Sequence, residues 1–253
     1  MFTADVLIHN CHGLLWGLVG EHDTASTAME EWTGWESMLQ TTNETPAMEW
    51  LPWARLNLHR NPFGELTPEE RAELAVVDVD HLIEMLRQPM CAVQFIGQCG
   101  RGKTTRMLKL RSQLRESSYT YIPERPPCPP IGAGNPVLID EAQRLSRAAR
   151  HRVFASGCSL ILATHRDLSR MLRKYGYRIY TEHIGEGNSP QLVLELLNRR
   201  IEASRLRCGS IPQLSLADAE MLVAEFGSDI RSMENELYAQ FQRILEGGTD
   251  GEV

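Results

Sequence analysis

Residues 97–104 restrict the fold and the chemistry of this chain more than any other segment. They read Gly97-Gln-Cys-Gly-Arg-Gly-Lys-Thr104, the G-x-x-x-x-G-K-[ST] pattern of a phosphate-binding loop. Small residues let consecutive backbone N–H groups turn inward and form an anion nest. The preceding run, Cys91–Ile96, is apolar as in a buried strand, and residues 104–114 suit a helix, so phosphate would lie at a helix N-terminus. A chance match in a glycine-rich loop is the alternative, which this flanking context disfavours.

The predicted phosphate-binding residues form one continuous segment. They are Gly97, Gln98, Cys99, Gly100, Arg101, Gly102, Lys103, Thr104 and Thr105. Lys103 can reach the outer phosphates of a nucleotide, and the Thr104 hydroxyl can ligate Mg²⁺.

A second motif follows 37 residues after Lys103. Residues 136–139 are apolar and precede two carboxylates, Asp140 and Glu141. At the carboxyl end of a strand, Asp140 would face the Mg²⁺ held by Thr104, through water. Glu141 would polarise the water that attacks the γ-phosphate. An apolar run ending in Asp-Glu is a weak signal alone, but after a phosphate-binding loop it favours nucleotide hydrolysis.

Three further positions have a functional and a plainer interpretation. Thr164 and His165 end the apolar run 159–163, where they would contact the γ-phosphate or the lytic water, or else cap the next helix. Arg231 would fold over bound nucleotide from a helical lid, or else be an ordinary surface arginine.

A cluster of basic residues follows that strand. Arg170, Arg173 or Arg178 would act in trans in an oligomer, or else they form a solvated basic face.

Charge and composition narrow the class of protein. The net charge is −7, but residues 1–90 carry 15 acidic side chains and 4 arginines, whereas residues 101–210 carry 20 basic and 9 acidic side chains. The basic half would meet nucleic acid or nucleotide phosphates, or be solvated. Six cysteines without a C-x-x-C pair favour reduced thiols. No run of 18 apolar residues occurs and residues 14–19 make a poor signal peptide, so we expect a cytoplasmic protein without a membrane span.

Four regions are predicted. Residues 1–53, with all five tryptophans, form a poorly ordered or partner-docking arm. Residues 54–90 form a helical lead-in, with a turn at residues 61–64 and, after a capping box at Thr67, one helix from Pro68 to about Arg87.

Residues 91–185 alternate strands and helices, including a helix from Glu141 to Ala155, which indicates an α/β fold with a central parallel sheet. Residues 186–253 are purely helical, as in a lid. One helix runs from Ser189 to about Arg207, a second follows a capping box at Ser215, and Ser228 caps a third.

The motifs together resemble those of bacterial AAA+ ATPases, over about residues 56–246. Residues 97–104 match Walker A, residues 137–141 match Walker B, Thr164 or His165 falls at sensor 1, and residues 227–231 resemble the sensor 2 segment. Residues 140–145 and Asn61-Pro62-Phe63 resemble the subgroup of transposition-regulator and type II secretion-associated ATPases. The resemblance implies a P-loop NTPase three-layer sandwich with a helical lid. Two features depart from the family pattern. A proline-rich stretch, residues 123–134, replaces the usual helix before Walker B. His165 resembles the switch histidine of ABC ATPases, although the chain has no LSGGQ-like segment.

The resemblance also implies ligands and partners. Such proteins bind ATP with Mg²⁺, self-associate and use hydrolysis as a switch or motor for a protein or DNA client. ATP is favoured over GTP because no N-K-x-D motif is present. Two alternatives from other classes remain open: a nucleotide-gated, DNA-associated scaffold with little hydrolysis, and a P-loop small-molecule kinase.

Overall fold

The structure, a computed structural model, describes residues 52–185 and 187–247. The predicted arm, residues 1–53, lies outside these ranges except for Pro52 and Trp53. In the described ranges, no helix combines the length and the apolar character that crossing a membrane requires.

The lead-in contains two short helices where the sequence predicted one. A 3₁₀ helix, Pro52–Leu56, is followed by α1 (Pro68–Glu73) and α2 (Asp80–Leu86). The capping box at the start of α1 is confirmed, since the Thr67 hydroxyl and the Glu70 carboxylate accept each other's backbone N–H groups. The prediction of a continuous helix to Arg87 is wrong. Residues 76, 77 and 79 are valines with low helix propensity, and the Asp78 carboxylate accepts the N–H of Asp80, which starts a new turn.

The central sheet confirms the predicted α/β class. Its five strands, all parallel, are β1 (Cys91–Ile96), β2 (Ser118–Tyr121), β3 (Val137–Asp140), β4 (Leu160–Thr164) and β5 (Arg178–His183). Their order across the sheet is β2-β3-β4-β1-β5. The carboxyl ends of β1, β3 and β4, which precede the motif residues, are therefore neighbours at one edge.

Three helices connect the strands: α3 (Lys103–Gln113), α4 (Arg147–Phe154) and α5 (Ser169–Lys174). Residues 123–134 form no helix, as predicted. The predicted helix from Glu141 to Ala155 is wrong in its first turns. A 3₁₀ turn, Ala142–Arg144, comes first, and the Ser146 hydroxyl then caps α4 by accepting the N–H of Ala149.

The helices cover both faces of the sheet. One buried cluster joins alternate strand residues such as Ala92, Ile139 and Leu162 to α4 and α5. The other joins the intervening residues, such as Val93, to α2 and α3. Successive strand residues point to opposite faces, so the sheet separates two apolar layers.

The C-terminal region is helical, as predicted, with α6 (Pro190–Ala203), α7 (Leu216–Phe226) and α8 (Ile230–Gly247). The Ser189 cap and the Ser215 capping box are confirmed. The expected extension of α6 to about Arg207 is wrong, because residues 204–206 bond instead to the backbone of residues 57–59. The expected Ser228 cap is also wrong: the Asp229 carboxylate accepts the N–H of Ser232.

Residues 61–64 form the predicted turn, in which the Gly64 N–H donates to the Asn61 carbonyl (3.2 Å). This turn is fixed to the C-terminal helices by Arg200, which is 4% exposed. Its guanidinium donates to the carbonyls of Pro62 (3.0 Å) and Gly64 (2.6 Å) and pairs with Glu234.

Candidate functional site

The loop between β1 and α3 has the backbone that its glycines predict. Gly100 and Gly102 have φ values of +77° and +90°, in the left-handed region that favours glycine. At Gly97, a Cβ atom would lie 2.5 Å from the carbonyl oxygen of Ile184, so only glycine fits beside that chain. Gly102 occupies the N-cap of α3 and has no side chain to cap it, which leaves the first N–H groups of the helix for a ligand.

Lys103 lies at the first position of α3 with its amine folded back onto the loop. Its Nζ donates to the carbonyls of Gly97 and Gln98, both at 2.7 Å, and the residue is 5% exposed. Burial lowers the pKa of Lys103, an effect opposed first by the charge of Glu141. The ammonium group therefore lies against the carbonyl oxygens at the start of the loop.

Thr104 and Asp140, which the sequence predicts to hold the metal, lie together. The Thr104 hydroxyl donates to Asp140 Oδ2 at 2.7 Å across the gap between α3 and the end of β3. Asp140 Oδ1 accepts the Glu141 N–H at 3.0 Å. The carboxylate is 3% exposed, and burial raises the pKa of Asp140, against the lowering effect of the Thr104 hydrogen bond.

Glu141 is held differently from its neighbour. Its backbone is left-handed (φ +60°), and its carboxylate contacts three side chains. Gln143 Nε2 donates to Oε2 at 2.7 Å, Arg144 lies 3.2 Å from the same oxygen, and His165 Nε2 lies 3.4 Å from Oε1. The carboxylate that is predicted to activate water is thus held by three polar side chains.

Thr164 and His165 differ in their surroundings. The Thr164 hydroxyl donates to the Arg166 carbonyl (2.9 Å) and accepts the Arg166 N–H (3.0 Å), so it closes the turn that leaves β4. His165 lies beside Glu141, and its Nε2 is also 3.8 Å from the Cys99 sulfur in the loop. Of the two sensor candidates, His165 is therefore the one that joins the loop to the acidic pair.

The helical region reaches the loop at the start of α8. A Cβ atom on Gly100 would lie 2.2 Å from Asp229 Oδ1 and 3.4 Å from the Cβ of Arg231. The charge of Arg231 is among the causes that lower the pKa of Lys103. Arg231 is exposed on α8 and thus lies near the loop between β1 and α3.

The candidate trans-acting arginines lie on the surface. Arg170 and Arg173 are exposed on α5, and Arg178 is exposed at the start of β5. Arg178 pairs in register with Cys91, the first residue of β1. It therefore lies at the amino ends of the strands, whereas the loop lies at their carboxyl ends.

Three residues that contact the acidic pair were not predicted: Tyr119, Gln143 and Arg144, which pairs with Glu141. Tyr119 on β2 donates its hydroxyl to Asp140 Oδ2 (3.1 Å), and Gln143 links Glu141 to the backbone N–H of His165, which its Oε1 accepts at 3.2 Å. Tyr119 lies in β2, where tyrosine alternates with serine or threonine, and it belongs to no recognisable motif. Gln143 lies two residues after Glu141, and that proximity was the available signal.

A scan of the chain against models of known protein families finds no match, and a search among curated proteins finds none. The residues and their geometry therefore carry the functional inference.

Proposed function

We propose that this protein is a P-loop ATPase of the AAA+ type that binds ATP with Mg²⁺ and hydrolyses it as a switch or motor. The observation that carries the proposal is the 2.7 Å hydrogen bond from the Thr104 hydroxyl to Asp140 Oδ2, next to the Lys103 ammonium and the glycine loop. Two motifs 37 residues apart thereby meet in one site, with the donor set that a nucleotide and a hard cation need.

The donor set fits Mg²⁺. The cation prefers oxygen ligands, keeps several waters and commonly uses one or two protein groups plus phosphate oxygens. Thr104 would supply a direct hydroxyl ligand, and Asp140 would accept hydrogen bonds from metal-bound water. When bound, the ion would neutralise charge on the β- and γ-phosphate oxygens.

The chain's own residues would do the rest. Loop N–H groups and Lys103 would hold the phosphates, and Glu141 would orient water for in-line attack on the γ-phosphorus. The new P–O bond forms as the bond to the ADP oxygen breaks, and the water proton passes toward Glu141. His165, 3.4 Å from that carboxylate, would respond to the presence of the γ-phosphate.

Nucleotide binding is tested by titrating a fluorescent ATP analogue into the wild type and Lys103→Ala. We expect Lys103→Ala to lose at least about 100-fold in affinity, because a charge-assisted contact to phosphate and the support of the loop carbonyls both disappear. Lys109→Ala, on the same helix, is the matched control and should bind as the wild type does. Unchanged affinity in Lys103→Ala would sink the loop assignment.

Hydrolysis is tested separately with Glu141→Gln, which keeps the size of the side chain and one acceptor oxygen but removes its charge and its basicity. Binding should persist while phosphate release falls by about 100-fold or more. Normal turnover by Glu141→Gln would exclude it as the water-activating group. A coupled assay with candidate acceptors distinguishes the kinase alternative, in which ADP forms without free phosphate.

One observation favours the second candidate, a DNA-associated function. Helices α4 and α5 pack side by side, with His151 Nδ1 and the Tyr175 hydroxyl 2.8 Å apart. Residues 142–178 hold nine Arg or Lys and a single acidic residue, Asp167. Seven of those basic residues are exposed: Arg147, Arg152, Arg166, Arg170, Arg173, Lys174 and Arg178. Arginine-rich surfaces of this kind suit phosphate backbones.

DNA association is tested by measuring retention on duplex DNA at increasing salt, with and without ATP. Binding through this face predicts affinity that falls steeply as salt rises, and a smaller salt slope in Arg170→Glu/Arg173→Glu. Retention unaffected by that double substitution would assign DNA contact to another surface or to none.

A further inference from the structure

We infer that Tyr119 is a positioning residue for Asp140, and that it sets how tightly the site takes Mg²⁺ with a nucleotide. This inference deepens the proposed function and rests on it. Tyr119 lies on β2, the edge strand next to β3, and is outside all the motifs that the sequence identifies.

The geometry gives Tyr119 a specific role. Its hydroxyl donates to Asp140 Oδ2 at 3.1 Å, the same oxygen that accepts the Thr104 hydroxyl at 2.7 Å. The other oxygen, Oδ1, accepts the Glu141 N–H at 3.0 Å. Three donors from three different elements thus fix both carboxylate oxygens, and Tyr119 is the one donor of the three that is not itself part of Walker A or Walker B.

The orientation of this carboxylate matters because Asp140 would act on the cation through water. An outer-sphere contact depends on direction, since the oxygen must meet a water that is already fixed on the ion. Without Tyr119, Oδ2 keeps only the Thr104 donor, and Thr104 must also direct a lone pair at the cation. The tyrosine therefore holds Asp140 in place while Thr104 is engaged with the metal.

Packing in turn fixes the tyrosine ring. The guanidinium of Arg111, two turns along α3 from the phosphate loop, lies over the Tyr119 ring with its central carbon 5.4 Å from the ring centroid. Ring and hydroxyl therefore have separate supports, and a change to phenylalanine removes the hydroxyl while it keeps the ring contact.

The experiment measures binding of a fluorescent, non-hydrolysable ATP analogue to Tyr119→Phe, first in EDTA and then at increasing Mg²⁺. We expect affinity in EDTA within about twofold of the wild type, and a midpoint of the Mg²⁺ dependence about tenfold higher, at the lower end of what loss of an outer-shell partner does to a metal site. The matched control is Tyr177→Phe. It removes the hydroxyl of a buried tyrosine, which donates to the Cys158 carbonyl (2.9 Å) near the amino ends of β4 and β5 and away from the loop, and it should leave both values unchanged.

Each outcome decides the question. If Tyr119→Phe has the wild-type Mg²⁺ midpoint, or if affinity falls equally with and without Mg²⁺, the hydroxyl has no metal-positioning role and the inference fails while the proposed function stands. A wild type that binds nucleotide in neither condition overturns both.

A second measurement covers the case in which Tyr119→Phe does not fold. 3-Fluorotyrosine at position 119 of the otherwise unchanged chain should shift its ¹⁹F resonance when Mg²⁺ is added to the nucleotide complex, whereas 3-fluorotyrosine at position 177 should not. No shift at position 119 would contradict the inference.

Discussion

The C-terminal helical region contacts the rest of the described chain in two contrasting ways. At one end, buried Arg200 joins residues 61–64 to α6 and α8, and the ring of Phe63 packs edge-on against Phe241 with centroids 5.3 Å apart. At the other end, the start of α8 meets the loop between β1 and α3 through the close approach of Asp229 to Gly100. The first contact combines a buried ion pair and hydrogen bonds with aromatic packing, whereas the second places a carboxylate beside the candidate site.

This difference suggests how the region works. A lid must be fixed somewhere and free to respond elsewhere, and regions that move with ligand are drawn from the less densely packed parts of a protein. In the function that we propose, the helices would be fixed at residues 61–64 and would respond to the state of the loop at Gly100. Three substitutions test that contrast.

The largest effect is expected at the fixed end. Arg200→Met leaves the Pro62 and Gly64 carbonyls and the Glu234 carboxylate without their partner, so we expect the free energy of unfolding to fall by about 3 kcal/mol or more in urea titrations. Arg243→Met is the control. Its guanidinium is exposed and pairs with Glu236 on the same helix, and the expected loss is below about 1 kcal/mol. Equal losses in the two variants would mean that the buried network does not anchor the helices.

The second effect is expected at the loop. Gly100→Ala would place a Cβ atom 2.2 Å from Asp229 Oδ1 at a φ of +77°, so the loop or α8 must shift. We expect ATP affinity to fall about tenfold, from a strained backbone together with the collision.

Gly187→Ala separates those two causes. Gly187 has a similar φ, +81°, but a Cβ atom there meets nothing within 4 Å. It should therefore carry the backbone strain without the collision, and its ATP affinity should stay within about twofold of the wild type. Adding Asp229→Ala to Gly100→Ala should recover part of the affinity; no recovery would show that α8 does not limit the loop.

The sequence predicts the contacts around the loop better than it predicts the contacts that fix the helical region at residues 61–64. The loop, the strand that ends in Asp140 and the adjacency of their ends follow from short motifs and from the rule that carboxyl ends of parallel strands share an edge. The sequence predicted that Thr104 and Asp140 would hold one metal ion, and the two side chains lie 2.7 Å apart.

The remainder depends on contacts between distant residues. Arg200 donates to the carbonyls of Gly64 and Pro62, which lie 136 and 138 positions earlier in the chain, and no local sequence pattern marks it as buried. Tyr119 contacts Asp140 only because β2 lies beside β3. The break after α1 likewise depends on the Asp78 carboxylate, which accepts the N–H of Asp80. The early end of α6 depends on the backbone of residues 57–59, which bonds to residues 204–206. Periodicity predicts where a helix can form, but such competition decides where it stops.

The smallest effect sharpens the contrast at the loop. Arg231 lies beside Gly100 and adds positive charge near Lys103, so a bound polyphosphate would relieve repulsion between the two cations. Arg231 is exposed, so solvent screens its attraction to phosphate, and Arg231→Ala should weaken ATP binding by only about fivefold. It should weaken ADP binding less, because the missing phosphate is the outermost one. Arg243→Ala, on the exposed part of the same helix, is the control and should bind both nucleotides as the wild type does. Equal losses for ATP and ADP in Arg231→Ala would mean that α8 responds to the presence of any nucleotide rather than to the γ-phosphate.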